Sequence, residues 1–123
     1  MINRKEMLPL LVQVCPSFKA DYEAFVEEWK EDFLGLPYYV ALADFARHLI
    51  EKLESGDMDG LPAIFALIER FHLEGDSYVK EAATVGLLEA LQNEDLYTDA
   101  KPSQFEPFLL PESKRWWLKV SES

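Results

Sequence analysis

The sequence predicts an all-α fold, and three observations carry that prediction. Apolar residues recur at the three- and four-residue spacing of a helix face through most of positions 1–92, a strand's two-residue alternation persists nowhere, and proline, glycine and capping residues stand where helices would begin and end. With 123 residues, 49% of them hydrophobic and 28% charged, the chain is long enough to close one core without staples and too apolar to be disordered. The expected architecture is a single helical domain over 1–123. Antiparallel helix pairs make a core over 1–92, and a proline-punctuated strap over 93–123 packs on them.

Asn3 caps a first helix from Arg4 to about Val14, with Met7, Leu8, Leu11 and Val12 on one face and Pro9 within its early turns; Pro16 ends it. Ser17 caps a second helix to about Phe33, on which Phe18, Tyr22, Phe25, Val26, Trp29 and Phe33 share one stripe, and Gly35 stops it. After Pro37, the residues Tyr39, Leu42, Ala43, Ala46, Leu49, Ile50 and Leu53 define a third helix to about Glu54, closed by Ser55 and Gly56. Asp59, Gly60 and Pro62 mark the start of a fourth, which carries Ile64, Phe65, Leu67, Ile68 and Phe71.

Gly75 ends the fourth helix and Asp76 caps a fifth, running through Val79, Ala82, Ala83, Gly86, Leu87, Ala90 and Leu91 to about Gln92. Ala82, Ala83, Gly86 and Ala90 make one face small enough for a neighbouring helix to approach closely. A glycine inside a helix costs about 1 kcal/mol against alanine, so close packing is the expected reason for Gly86. Val85 and Leu88 point away from that face, which predicts cover on two sides. Beyond Asn93, Pro102, Pro107 and Pro111 exclude one long helix, yet Phe105, Phe108, Leu109, Leu110, Trp116 and Trp117 are too apolar to hang free. The expected form is an extended strap ending in a short helix from about Pro111 to Leu118. Trp116 and Trp117 lie about 100° apart on any helix, so one of the two is expected at the surface; Trp117 is taken as the candidate anchor for a partner.

The net charge of −11 resides in the middle of the chain: residues 1–16 and 101–123 each sum to +1, and residues 17–100 to −13. Phosphate backbones and anionic lipids are bound by neutralising their charge with lysine and arginine, so the expected partner is a basic protein, not a nucleic acid or a membrane. On the second helix Glu23, Glu27 and Glu31 stand four apart, opposite the aromatic stripe. Like charges at that spacing cost about 0.2–0.5 kcal/mol per pair, partly relieved by Lys19 and Lys30. The three form a candidate docking ridge, with Asp95 and Asp99 as further candidates. Cys15 is the only cysteine, which excludes an intramolecular disulfide, and the first residues lack the apolar run of a leader. A reducing cytoplasm is expected, and no apolar stretch approaches the roughly 20 residues that cross a bilayer.

Few residues suggest chemistry. Glu69 and His72 have the E-x-x-H spacing that ligates iron when two such pairs meet further glutamates in a helical bundle, but only one copy occurs, so they are weak metal candidates beside the plainer reading of a solvated pair. Asp44 and His48 lie one turn apart without a nucleophile nearby in sequence. Cys15, before Pro16, reads as a buried structural thiol rather than a reactive one. Lys114 and Arg115 beside Trp116 and Trp117 mix base and aromatic, but flanking acidity makes packing their default role. No glycine-rich phosphate cradle is present. No catalytic residue and no cofactor is expected.

At residues 61–92 the segments LPAIFALIERF, LEGDSY and VKEAATVGLLEAL, with Asp76 in the turn, Val79 and Lys80, Ala82 and Ala83, and Leu87 and Leu91, form a pattern that resembles a HEAT repeat. That resemblance implies stacked antiparallel helix pairs whose exposed edges bind proteins. The whole chain also resembles an uncharacterised bacterial family of small acidic helical proteins, through CPSF at 15–18, LADFARHLIE at 42–51 and LPESKRWW at 110–117. Some acidic helical proteins of that kind are toxin-immunity proteins. The expected function is therefore a non-enzymatic protein-binding module, in one form an immunity-type inhibitor of a basic toxin. The alternatives are a metal-binding protein or small enzyme assembled across a homodimer, and a structural adaptor.

Overall fold

The computed structural model describes residues 1–32 and 35–122, and among them every regular element is helical. α1 (Arg4–Val14) opens on Asn3, whose side chain accepts the Lys5 N–H at 2.9 Å while the Glu6 carboxylate accepts the Asn3 N–H at 3.0 Å. A 3-10 turn, Pro16–Phe18, then stands where the sequence predicts the start of the second helix, and α2 covers Lys19–Trp29. Neither the turn nor α2 has a side-chain cap, because the Ser17 hydroxyl is bonded instead to His48 at 2.8 Å. Trp29 ends the helix before Phe33, which lies outside the described residues.

α3 (Tyr38–Glu54) is the longest helix, and Ala41, Leu42, Phe45, Ala46, Leu49, Ile50 and Leu53 are buried along it at the spacing of one helix face. α4 (Leu61–Glu74) follows Gly60, whose φ of +81° places it in the left-handed region that suits glycine. The chain then turns at Gly75. A Cβ there would lie 2.4 Å from the Phe71 carbonyl oxygen and 2.5 Å from Val79 Cγ1, so only a glycine lets the next helix start this close. The same bend brings in the N-terminus: Ile2 donates to the Glu74 carbonyl at 2.8 Å and accepts from Asp76 at 2.9 Å, a single parallel bridge.

Asp76 caps α5 (Ser77–Glu81) by accepting the Val79 N–H at 2.9 Å. Instead of one α-helix to Gln92, the chain continues as a seven-residue π-helical segment, Ala82–Leu88, and one last turn, α6 (Glu89–Leu91). The Glu89 N–H accordingly reaches the Thr84 carbonyl, five residues back. Gly86 is the contact the small-residue face predicted: a Cβ would stand 3.0 Å from Leu42 Cδ1 and 3.1 Å from Tyr39 Cδ1 on α3. The wider turn carries Leu87 and Leu88 both into the core, while Val85 stays 46% exposed, so the expected second side of cover exists at Leu88 alone.

The C-terminal segment is not an extended strap. It is a succession of 3-10 turns, Glu94–Leu96 and Pro102–Phe108, followed by α7 (Pro111–Ser121), three residues longer than the short helix predicted. Proline's φ near −65° suits a 3-10 turn as well as an extended path, and here the turn prevails. The Glu54 carboxylate pins the segment to the end of α3. Its Oε2 accepts the Ala100 N–H at 3.1 Å, the Thr98 N–H and hydroxyl at 2.7 and 2.8 Å, and the Asp99 N–H at 2.8 Å. Those donors, the Ala100 and Thr98 amides foremost, hold its pKa at about 2.

Phe105 is fully buried, its ring 5.7 Å from that of Phe65 and 6.5 Å from that of Tyr97, and burying such a side chain stabilises by about 1.5–3 kcal/mol. The Tyr97 hydroxyl donates to the Leu91 carbonyl, and burial pushes its phenol above the ordinary range. Gln92 donates to the Trp117 carbonyl at 2.8 Å, closing the segment onto α6. No helix among the described residues is long and apolar enough to cross a membrane.

Candidate functional site

The 3-10 turn that leads into α2 meets α3 where the Phe18 ring stands edge-on to Phe45, centroids 5.0 Å apart. Beside that contact a cleft of about 390 Å³ opens between the two helices, with Phe18, Ala24 and Phe25 as its apolar lining. Asp21 and Glu28 enter it from α2, and Asp44 and Glu51 from α3. Each pair is seven residues apart, two helical turns, so each helix turns both of its carboxylates to the same side. Arg47 also lines the cleft and lies 3.6 Å from Asp44.

His48 stands at one end of this cleft. Its Nε2 is 2.8 Å from Ser17 Oγ, which is 3.4 Å from Cys15 Sγ, and its Nδ1 is 3.8 Å from Asp21 Oδ2. The row has the residue types of a Ser-His-Asp triad. At 3.8 Å, however, Asp21 is too far from Nδ1 to make the hydrogen bond that would fix the imidazole's tautomer. The pairing of Asp44 with His48 suggested by their spacing is not formed: Asp44 faces Arg47, and His48 faces Asp21 and Ser17. Cys15 is buried, as a structural thiol should be.

The ridge read from the sequence is shorter than predicted. Glu23 and Glu27 are exposed on α2, each beside a lysine, at 3.9 Å from Lys19 and 2.7 Å from Lys30 respectively. Glu31 falls beyond the end of the helix at Trp29. Asp95 and Asp99 are exposed on the C-terminal segment, and none of these five residues lines the α2–α3 cleft. The converging acids are different ones, and their signal was present as the seven-residue spacings 21 to 28 and 44 to 51.

Trp117 cannot serve as the exposed anchor, because it is only 4% exposed. Ser113 and Trp117, one turn apart, form the face of α7 that packs inward. Trp116 is the half-buried member of the pair. Lys119 Nζ lies 4.7 Å and the Arg115 guanidinium 5.0 Å from its ring, and its indole N–H donates to Glu112 at 3.2 Å.

Glu69 and His72 are not a solvated pair; both are buried. The N-cap position of α7 is Leu110, which offers no side-chain acceptor, and Glu69 supplies the cap from α4. Its Oε2 accepts the Glu112 N–H at 3.0 Å, and its Oε1 accepts the Ser113 N–H and hydroxyl, each at 2.8 Å. His72 Nδ1 lies 3.0 Å from the Ile68 carbonyl and 3.2 Å from Ser113 Oγ, and Nε2 lies 3.1 Å from Thr84 Oγ1. A carbonyl only accepts, so Nδ1 carries the proton. Burial raises the Glu69 pKa, but the Glu112 and Ser113 backbone N–H groups and the Ser113 hydroxyl outweigh it and bring the group below the ordinary range. Burial lowers that of His72, disfavouring the charged imidazolium.

Both Glu69 carboxylate oxygens and both His72 ring nitrogens are engaged in this network. Among the described residues no three His, Cys, Asp or Glu side chains come together to hold a metal ion, and no buried side-chain polar atom lacks a partner. Residue 113 lies far along the chain from residue 69, which is why the E-x-x-H spacing alone could not reveal its purpose.

The described residues thus define a small all-α protein with an acidic interhelical cleft and a buried, fully bonded polar junction. It belongs to DUF7674, a domain of unknown function, whose family model matches residues 8–122. No curated protein and no solved structure gives a match.

Proposed function

We propose that the chain is a non-enzymatic protein-binding module that receives a basic partner in the cleft between α2 and α3, as an immunity-type inhibitor would occlude a basic toxin. The observation that carries this reading is that Asp21, Glu28, Asp44 and Glu51 line one cleft, together with Arg47, His48 and the apolar Phe18, Ala24 and Phe25, in a chain of net charge −11. An arginine or lysine entering it lays its methylene stem along Phe18 and Phe25 and offers its charge to the carboxylates. The acidic surface around the cleft speeds the approach of such a partner, in a manner that salt screens. The HEAT-like pattern of residues 61–92 is consistent with a scaffold that binds through exposed helices.

A short arginine-rich peptide titrated into ¹⁵N-labelled protein tests the reading. Saturable shifts are expected at the amides of residues 21–28 and 44–51, with affinity falling steeply as salt rises. Asp44→Lys with Glu51→Lys is expected to abolish them. Shifts spread evenly over the acidic surface, or unchanged by the double reversal, would defeat the proposal.

A further inference from the structure

A second cleft, of about 420 Å³, lies between the end of α4, the π-helical segment and α7. Its size is that of small-molecule sites, roughly 300–1,000 Å³. Val85, 46% exposed, and the half-buried Trp116 form its apolar walls. His72 and Thr84 line it from inside, joined at 3.1 Å, and the Glu69 and Ser113 network behind them holds the imidazole ring in place.

The π-helical segment forms one wall. A run of seven residues bonded i to i+5 is rare, and such distortions concentrate at functional sites. The surrounding charge is unusual for so acidic a chain: Lys80 lines the cleft, while Arg115 and Lys119 lie over the Trp116 ring. Glu112 is already engaged, by Arg115 at 3.4 Å and by the Trp116 indole at 3.2 Å. Lys80 makes no ion pair among the described residues and is therefore available to an incoming anion. Glu81 also lines the cleft, so a ligand that carried a second negative charge would meet a like charge there.

We propose that this cleft binds a small amphipathic monocarboxylate, with its aromatic or aliphatic body between Trp116 and Val85 and its carboxylate on Lys80. The site shares no lining residue with the α2–α3 cleft and stands independently of the basic-partner reading.

The test is a titration of ¹⁵N-labelled protein with 3-phenylpropionate, its amide and phenylsuccinate. Millimolar binding is expected for a ligand of this size. Saturable shifts should appear at the amides of Lys80, Thr84 and Val85 and at the Trp116 indole N–H, with the amide and the dianion each about tenfold weaker. Lys80→Met should weaken the monocarboxylate to the level of its amide. Val85→Glu, at a position 46% exposed, should close the site altogether. Both variants should keep the urea midpoint of the parent chain. No saturable shift with 3-phenylpropionate, equal binding of the amide, or binding indifferent to Val85→Glu would overturn the proposal.

Discussion

Two regions of the molecule set a carboxylate beside a histidine and do opposite things with the pair. In the α2–α3 cleft the Asp21 side chain is 67% exposed and its carboxylate stands 3.8 Å from the His48 imidazole. At the α4–α7 junction Glu69 is 9% exposed and accepts three hydrogen bonds from Glu112 and Ser113. A carboxylate satisfied by water can exchange that water for a partner at small cost. One satisfied by fixed protein donors is committed to holding those donors, and removing it leaves them unpaired in a dry environment. Residue type is thus a poor guide to role, and the number of protein donors aimed at a charged group is a better one.

The sharpest way to break the comparison is to delete the carboxylate from the buried member. Glu69→Ala strands the two α7 amides and the Ser113 hydroxyl, and is expected to destabilise the chain by about 3 kcal/mol, read as a lower urea midpoint. Glu69→Gln keeps an acceptor and should cost clearly less. If Glu69→Ala moved the midpoint no further than Asp21→Ala does, the two regions would not differ in the way the geometry indicates.

The histidine of the junction gives a second, smaller effect with a definite sign. Burial lowers the folded-state pKa of His72 below the ordinary 6.5, so below that pH the unfolded chain binds more protons than the folded one. Stability is therefore fully present above pH 6.5 and falls as the pH drops through 6.5 toward the lower folded value. His72→Gln should flatten this part of the urea midpoint against pH. Glu69 and Glu54, whose pKa values are lowered from 4.5, add their own losses only below about that pH. A midpoint with the same slope from pH 6.5 to 5 in the parent and His72→Gln would show that burial does not lower the imidazole's pKa.

How much of this was readable in advance follows from chain separation. α1, α3 and α4 begin and end close to their caps and breakers, and the closeness of Gly86 to α3 follows from a run of small residues. Those signals are local. The π-helical segment was not visible, because apolar periodicity does not specify whether a carbonyl is met by the fourth or the fifth amide. The cap on α7 comes from Glu69 and the anchor of the C-terminal segment from Glu54, each 43 or more residues away from its donors. The acidic cleft was half readable: the seven-residue spacings lie in the sequence, but only the packing of α2 against α3 turns them toward each other.

A third prediction concerns Glu54, which shares features of both regions: it is half-buried, more open than Glu69, yet it accepts four hydrogen bonds like a structural group. Glu54→Ala is expected to release the Thr98, Asp99 and Ala100 amides locally. Their hydrogen exchange should accelerate while that of the α3 and α4 cores is unchanged. Acceleration throughout the chain would mean that this anchor is part of the global folding unit.

The smallest effect is expected at Glu23 and Glu27, and it separates surface charge from sited charge. Both are exposed on α2, each has a lysine neighbour, and neither lines the cleft. Substituting both with glutamine should move stability by no more than about 0.5 kcal/mol, the range of exposed pairs. Each change also removes one negative charge, as does Asp44→Asn or Glu51→Asn. If arginine-rich peptide binding depends on total charge, the two double variants will lose affinity equally. If it depends on the cleft, the Asp44 and Glu51 pair will lose far more, and the Glu23 and Glu27 pair will affect mainly the association rate through the long-range field.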